Sequence, residues 1–193
     1  MKIKPWPKVG LPETLAQSHG RSLVSQKYQD PHTKKTETYT LFKAEGYSCV
    51  TLPITKEGKV LAVRQFRHGS ETIPLELPAG QYKYLGQPPE SVAREEVAEE
   101  TGGYEPEKII PLTTKAINLE PDYSKMWFYP FLFTGCQKTN LEAKLDEGEY
   151  IEAVQIALPE WIEMCQNEQV FDPLSIVTTM LALKHLGYTC LKF

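Results

Sequence analysis

The stretch from Glu76 to Gly103, ELPAGQYKYLGQPPESVAREEVAEETGG, restricts what this chain can become more than any other part of it. Pro88-Pro89 and Gly102-Gly103 bracket a helix, because proline is tolerated in a first turn and glycine makes a left-handed stop cheap. Inside the bracket stand Glu95, Glu96, Glu99 and Glu100. Residues three and four apart share a helix face, so Glu96, Glu99 and Glu100 project together. Like charges at that spacing cost about 0.2–0.5 kcal/mol per pair. Such a row asks for a compensating cation, and oxygen-only donors suit a hard ion such as Mg²⁺ or Mn²⁺. A solvated acidic face is the plainer reading of the same glutamates. The glycines and the strand that precedes them set the stretch apart.

The rest of the chain bounds the class. Its 193 residues suit one domain, or one domain with an added N-terminal piece, and a hydrophobic content of 41% is enough for a sizeable core. A formal charge of −4 argues against a nucleic-acid partner, which would call for a basic stripe. No run of about 18 apolar residues is present, so no membrane span is expected. The opening MKIKPWPKVGLPETL has no apolar core of a secretory signal. Cys49, Cys136, Cys165 and Cys190 lie far apart with no C-x-x-C spacing, which predicts free thiols in a reducing cytoplasm rather than zinc or disulfides. His68 is the one histidine near the glutamate stretch and reads as a loop residue.

Residues 1 to about 20 read as an extended arm on which Trp6, between Pro5 and Pro7, needs a surface to pack against. Alternating residues predict antiparallel strands at Ser22–Gln29 and Thr36–Ala44. Tyr47–Ile54 and Lys59–Phe66 follow as a hairpin turning at Lys56-Glu57-Gly58. Ile73–Leu77 is a short strand leading into Pro78-Ala79-Gly80. Beyond the helix, strands are predicted at Lys108–Leu119, Met126–Thr134 and Tyr150–Ala157, with a polar loop from about Gly135 to Gly148. A short helix follows Pro159. A last helix opens at Asp172-Pro173 and runs to about Gly187, with Leu174, Val177, Leu181 and His185 on its packing stripe. Strands, helix, strands, helices make an α+β chain with a mixed sheet between helices. We divide it into residues 1–45, an arm with strands, and residues 46–193.

The glutamate stretch resembles the Nudix box, G-x5-E-x7-R-E-U-x-E-E-x-G-U with U aliphatic. Glu96-Val97-Ala98-Glu99-Glu100-Thr101-Gly102 matches its core at every position. Three departures accompany the match. Glu95 stands where the box has the arginine that orients a catalytic glutamate, Gln87 stands where it has its first glutamate, and the loop from Gly80 to Gln87 is one residue longer. The resemblance implies the Nudix α/β/α sandwich. It also implies metal binding, Mg²⁺ or alternatively Mn²⁺, by Glu96, Glu99 and Glu100, with Glu99 among the catalytic residues.

The flanks are similar to those of ADP-ribose and ADP-sugar pyrophosphatases. Val63-Arg64-Gln65-Phe66-Arg67 and Leu75-Glu76-Leu77-Pro78-Ala79-Gly80 match their V-x-Q-F/Y-R…E-x-P-A-G run. By that resemblance Arg67 contacts the diphosphate, the Ala79 carbonyl ligates a metal, and Gly80 lies in the substrate-binding run. Asp146–Glu152 resembles the segment whose glutamate activates the attacking water, with Glu149 the first candidate and Glu147 the second. The N-terminal extension implies strands exchanged across a homodimer, with Trp6, Tyr28, Tyr39 or Phe42 at the base. Asp122 reads as a turn residue. The implied reaction is metal-dependent hydrolysis of the diphosphate bond of a nucleotide sugar, foremost ADP-ribose to AMP and ribose 5-phosphate. Another nucleotide sugar, such as GDP-mannose, fits the same motifs. A weakened nucleotide-sugar binder or sensor stays open through Gln87 and Glu95.

Overall fold

A computed structural model of the chain describes residues 2–140, 148 and 150–188. In chain order its strands are β1 (Lys8–Ser18), β2 (Arg21–Gln29), β3 (Thr36–Ala44), β4 (Ser48–Thr55), β5 (Lys59–Gln65), β6 (Leu75–Glu76) and β7 (Ala79–Gln81). After helix α1 (Pro89–Thr101) come β8 (Tyr104–Glu105), β9 (Lys108–Pro111), β10 (Ile117–Asn118), β11 (Ser124–Lys125), β12 (Trp127–Lys138) and β13 (Ile151–Ala157). Helices α2 (Leu158–Gln166) and α3 (Pro173–Leu183) close the chain. The strands form two compact units. One joins the chain up to Tyr47 to Ile117–Trp127, and the other joins Ser48–Ala116 to the chain from Phe128 onward.

In the first unit β1, β2, β3 and β11 lie side by side, β1 antiparallel to β2, β2 antiparallel to β3, and β11 parallel to β3. The predicted arm is therefore a paired strand over Lys8–Ser18. Alternation could not show it, because every residue of β1 is exposed and its ladder slips twice, between Val9 and Glu13 and between Thr14 and Ala16. The unit also takes in Ile117–Trp127, which a single division after residue 45 leaves with the larger domain. Lys108–Leu119 is two short strands rather than one. Pro111 ends the first, since proline brings no N–H to a ladder.

The second unit is a mixed sheet ordered β12, β4, β5, β13, with β4 parallel to β12 and antiparallel to β5. Cys49 to Thr55 of β4 are all buried, and both α1 and α3 pack on that strand. A strand covered on both faces carries a near-continuous apolar run, and this is the centre of an α/β/α sandwich. β4 and β5 turn at Gly58 (φ +77°), are bridged at Ile54 and Val60, and then part. The segment Leu75–Gln81 fills the split, β6 pairing with β5 and β7 with β4. This wedge carries Pro78-Ala79-Gly80.

β12 continues beyond the predicted Thr134 because Gly135, at φ +67°, lets the strand bulge past its partner and resume at Cys136. A Cβ on Gly135 would come within 2.9 Å of the Glu107 side chain, so the position needs glycine twice over.

The last helix corrects its predicted stripe. Ser175, Thr178, Thr179, Ala182 and Leu183 are its buried residues, whereas Val177 and Met180 are exposed, and the helix ends at Leu183 rather than near Gly187. Hydrogen bonds override the apolar pattern. Trp161 Nε1 of α2, fully buried, donates to Thr179 Oγ1 at 2.9 Å. Asp172 caps the helix through Ser175 N (2.8 Å), and Ser175 Oγ accepts from Leu77 N at 2.8 Å. Ser175 and Thr179 are thereby anchored inward, and α3 is tied to the backbone just before Ala79. Cys49, Cys136 and Cys165 are free thiols; burial pushes the first two up to about 12. Among the described residues no helix is long and apolar enough to cross a membrane.

Candidate active site

Helix α1 starts and stops where the prolines and glycines indicate. Pro88 is its N-cap and Pro89 opens its first turn. Gly102 ends it at φ +81°, with Gly103 N donating to Ala98 O at 2.7 Å. Val92, Ala93, Val97 and Thr101 form the buried stripe, which turns the carboxylates toward the wedge. Glu96 and Glu100, one turn apart, reach the Ala79-Gly80 corner. Glu100 Oε2 accepts from Ala79 N at 3.0 Å. The Glu96 carboxylate lies so close to Gly80 that a Cβ there would sit 1.9 Å from its Cδ. Ala79 and Gly80 are set in place by antiparallel pairing with Val50 and Cys49 of β4.

Glu99 has a cation already. Lys83 Nζ donates to both its oxygens, at 3.0 and 2.9 Å, and stands 3.9 Å from Glu95. Burial lowers the Lys83 pKa, but the hydrogen bond to Glu99 and the charges of Glu96, Glu99 and Glu95 outweigh it, so it lies above the ordinary lysine value. The two positions that depart from the box touch each other. Gln87, buried, donates through Nε2 to both Glu95 oxygens at 3.1 and 3.0 Å and accepts from Lys83 N at 2.7 Å. The neighbouring Arg94 turns away and pairs with Glu105 at 2.9 Å.

Arg67 is held before the wedge. Its Nε and a terminal nitrogen lie 2.8 and 2.6 Å from one oxygen of Glu76, and its side chain remains 40% exposed. Burial raises the Glu76 pKa and a nearby Asp172 adds to this, while Arg67 pulls it down; the net direction is up. Removing Arg67 raises it further. A buried acid whose folded pKa is raised costs stability as pH climbs from its unfolded value through the folded one. Arg67→Met is therefore expected to lose about 1–3 kcal/mol at pH 8, less at pH 5, and to approach wild type near pH 4, read by thermal melts across pH. An equal loss at every pH would contradict this account of the pair.

Trp6 belongs to the first unit. It meets Tyr39 edge to face at 6.2 Å, and Tyr28 meets Tyr39 likewise at 5.8 Å. These rings, with Leu41, Pro121 and Trp127, line a cavity of about 540 Å³. Phe42 is exposed and outside that lining, while Asp122 is in it. Glu147 and Glu149 lie outside the described residues.

Ala79, Gly80, Glu96 and Glu100 thus meet at one corner, while Glu99 on the same helix is held by Lys83 and Arg67 is joined to the strand that leads into the corner. Among the described residues no three acidic, histidine or cysteine side chains close on a common point as a metal set, and Glu99 is engaged by Lys83 instead. The donors nonetheless suit a hard cation: carboxylate oxygens, a glycine cradle with no Cβ, and a face that already attracts an ammonium. Sequence reasoning missed Lys83 and Glu76. A charge inside the apolar run Leu75–Pro78 was the signal for Glu76. The extra loop residue, together with a glutamate where the box has arginine, was the signal for Lys83.

The wedge and helix α1 both lie inside the stretch that a NUDIX domain model matches, residues 46–173, well over half of the chain. The chain belongs to the Nudix family. It is 31% identical over 121 residues to an ADP-ribose pyrophosphatase of Bacillus subtilis (strain 168), a match that spans 63% of each chain. It is 29% identical over 139 residues to a methanol dehydrogenase activator of Bacillus methanolicus, covering 69% of this chain and 73% of that one. A solved structure described as the crystal structure of an ADP compounds hydrolase matches with a TM-score of 0.81 over 98% of this chain and 100% of that one. At 18% identity that likeness speaks to the fold. Nudix hydrolases generally need a divalent metal.

Proposed function

We propose that the protein hydrolyses the diphosphate bond of a nucleoside diphosphate sugar, foremost ADP-ribose, giving AMP and ribose 5-phosphate. The observation that carries this is the meeting of Glu96 and Glu100 at the Ala79-Gly80 corner, with Glu99 on the same helix and Arg67 anchored on Glu76 of the strand that leads in. In this reading Mg²⁺, or Mn²⁺ in its stead, is held by those carboxylates and the Ala79 carbonyl. When bound it neutralises phosphate charge and lowers the pKa of water. Arg67, fixed at one edge by Glu76, offers its exposed edge to the diphosphate oxygens, a planar fork suited to them. Gly80 lets the substrate and the Glu96 carboxylate approach the backbone closely. Glu149, with Glu147 second, takes the proton of the attacking water.

The aromatic cavity of the first unit is the proposed base site. Trp6, Tyr28 and Tyr39 present ring faces and edges to a purine, and about 540 Å³ suits a nucleoside. The proposed setting is the cytoplasm, and the proposed assembly is a homodimer through the first unit. Its support is β1, exposed throughout, with Leu11 93% and Leu15 50% accessible on an open sheet edge. Leu11→Glu with Leu15→Glu is expected to halve the mass seen by light scattering; a wild-type monomer would remove the dimer from the account.

The reading is tested by nucleotide release from ADP-ribose, ADP-glucose, GDP-mannose and ATP under Mg²⁺. Preference for ADP-ribose supports it, preference for GDP-mannose keeps the chemistry and replaces the substrate, and preference for ATP overturns it. The second reading, a binder without turnover, is favoured by the lysine already on Glu99. It prevails if nothing is cleaved under Mg²⁺ or Mn²⁺ while a nucleotide sugar still raises Tm.

A further inference from the structure

We propose that Lys83 is a positioning residue that brings, from the loop before α1, the positive charge that the box pattern places at position 95. Its catalytic meaning rests on the hydrolase reading above; the contact itself does not.

Glu95 and Glu99 are one helical turn apart and repel each other. The Lys83 ammonium stands against both, 2.9 Å from Glu99 and 3.9 Å from Glu95, and turns that repulsion into two attractions. Lys83 does not arrive there by chance of a long side chain. Its backbone N–H is fixed by Gln87 Oε1 at 2.7 Å, and the Gln87 amide is fixed in turn on the two Glu95 oxygens. Gln87 is only 2% exposed, so the amide cannot be traded for water.

The three identities require one another. An ionised glutamate at 87 has no proton to donate to Glu95, and an arginine at 95 would repel the ammonium of Lys83. The local charge also equals that of the box pattern. Lys83, neutral Gln87 and Glu95 sum to zero, as do the glutamate and arginine of the box pattern at the last two positions. The charge beside Glu99 has the sign that the pattern gives it, on a different carrier. The two departures and Lys83 thus form one connected arrangement, and Glu99 has its oxygens oriented before a metal or substrate arrives.

The test compares Lys83→Met, Lys83→Arg and the triple variant Lys83→Met/Gln87→Glu/Glu95→Arg with wild type. Each is melted in EDTA and titrated with Mn²⁺, followed by electron paramagnetic resonance without substrate. Lys83→Met is expected to lower Tm in EDTA by about 2–4 °C. It should also bind Mn²⁺ about tenfold more tightly at low salt, because a nearby positive charge no longer opposes the ion. Its kcat on ADP-ribose should fall about tenfold. A merely structural loss would weaken binding and turnover together. Lys83→Arg and the triple variant should return Tm and Mn²⁺ affinity toward wild type. Lys83→Met indistinguishable from wild type in both would overturn the proposal, as would a folded triple variant that behaves like Lys83→Met. If the triple variant does not fold, Lys83→Arg behaving like Lys83→Met overturns it instead. A wild-type protein that binds no Mn²⁺ counts against the metal reading alone, and the melts in EDTA still decide Lys83.

Discussion

Glu99→Gln is expected to lower turnover of ADP-ribose by about 10³-fold while the melting temperature in EDTA moves by no more than about 2 °C. The first part follows from the proposed chemistry. A carboxylate that holds a hard cation contributes its charge, and an amide of the same shape does not. Losing stabilisation worth several kcal/mol costs roughly a factor of ten for each 1.4 kcal/mol. The second part follows from the structure. The replacement removes attraction to Lys83 at 2.9 Å, but it also removes repulsion from the neighbouring glutamates on α1. Both effects act on a side chain that is 31% exposed, where single charge pairs are worth about 1 kcal/mol or less. They offset. Steady-state kinetics beside melts in EDTA checks both halves, and near-normal activity would remove Glu99 from the metal-holding set.

Gly80→Ala is the second large effect, and it separates activity from stability in a different way. The backbone at Gly80 does not need positive φ, so alanine is tolerated by the chain itself. Its Cβ would nevertheless meet the Glu96 carboxyl group at 1.9–2.3 Å, a distance no real contact allows. The obstacle is the far end of a flexible side chain, so Glu96 swings away rather than the strand giving way. Stability is expected to change by about 1 kcal/mol or less. Turnover is expected to fall at least about 10²-fold, because a displaced ligand misplaces whatever it holds. Adding Glu96→Ala to Gly80→Ala should cause little further loss, since the first change has already removed that carboxylate from the corner. Full activity in Gly80→Ala would show that Glu96 works from another position.

What the sequence disclosed about this corner was local. Helix α1 was legible at both ends because proline and glycine punctuate chains through their own φ preferences, whatever surrounds them. The row of glutamates was legible because one turn of helix brings positions three and four apart together. The split between β4 and β5 was not. It depends on β6 and β7 entering between two strands that are neighbours in sequence, and no periodicity encodes which ladder a two-residue strand will join. Lys83 was hidden for a related reason: a lysine in a loop has no pattern until Gln87 and Glu95 fix where it goes. In α3 the pattern misled. The apolar residues Val177 and Met180 face outward because Ser175 and Thr179 are committed to Leu77 N and Trp161 Nε1. A buried hydroxyl with a partner can outrank a hydrophobic stripe. β1 gave no signal for the opposite reason, since a strand exposed along its whole length has no buried face to alternate.

The central claim is metal-dependent cleavage of a nucleotide-sugar diphosphate by way of the α1 glutamates Glu96, Glu99 and Glu100. Its most direct test is ³¹P NMR of the purified protein with ADP-ribose and Mg²⁺, with EDTA added midway and excess Mg²⁺ restored afterwards. The account predicts that the diphosphate signals give way to AMP and ribose 5-phosphate, that conversion stops on chelation, and that it resumes when Mg²⁺ returns. Conversion that continues through EDTA, or no conversion with Mg²⁺ or Mn²⁺ present, would contradict it.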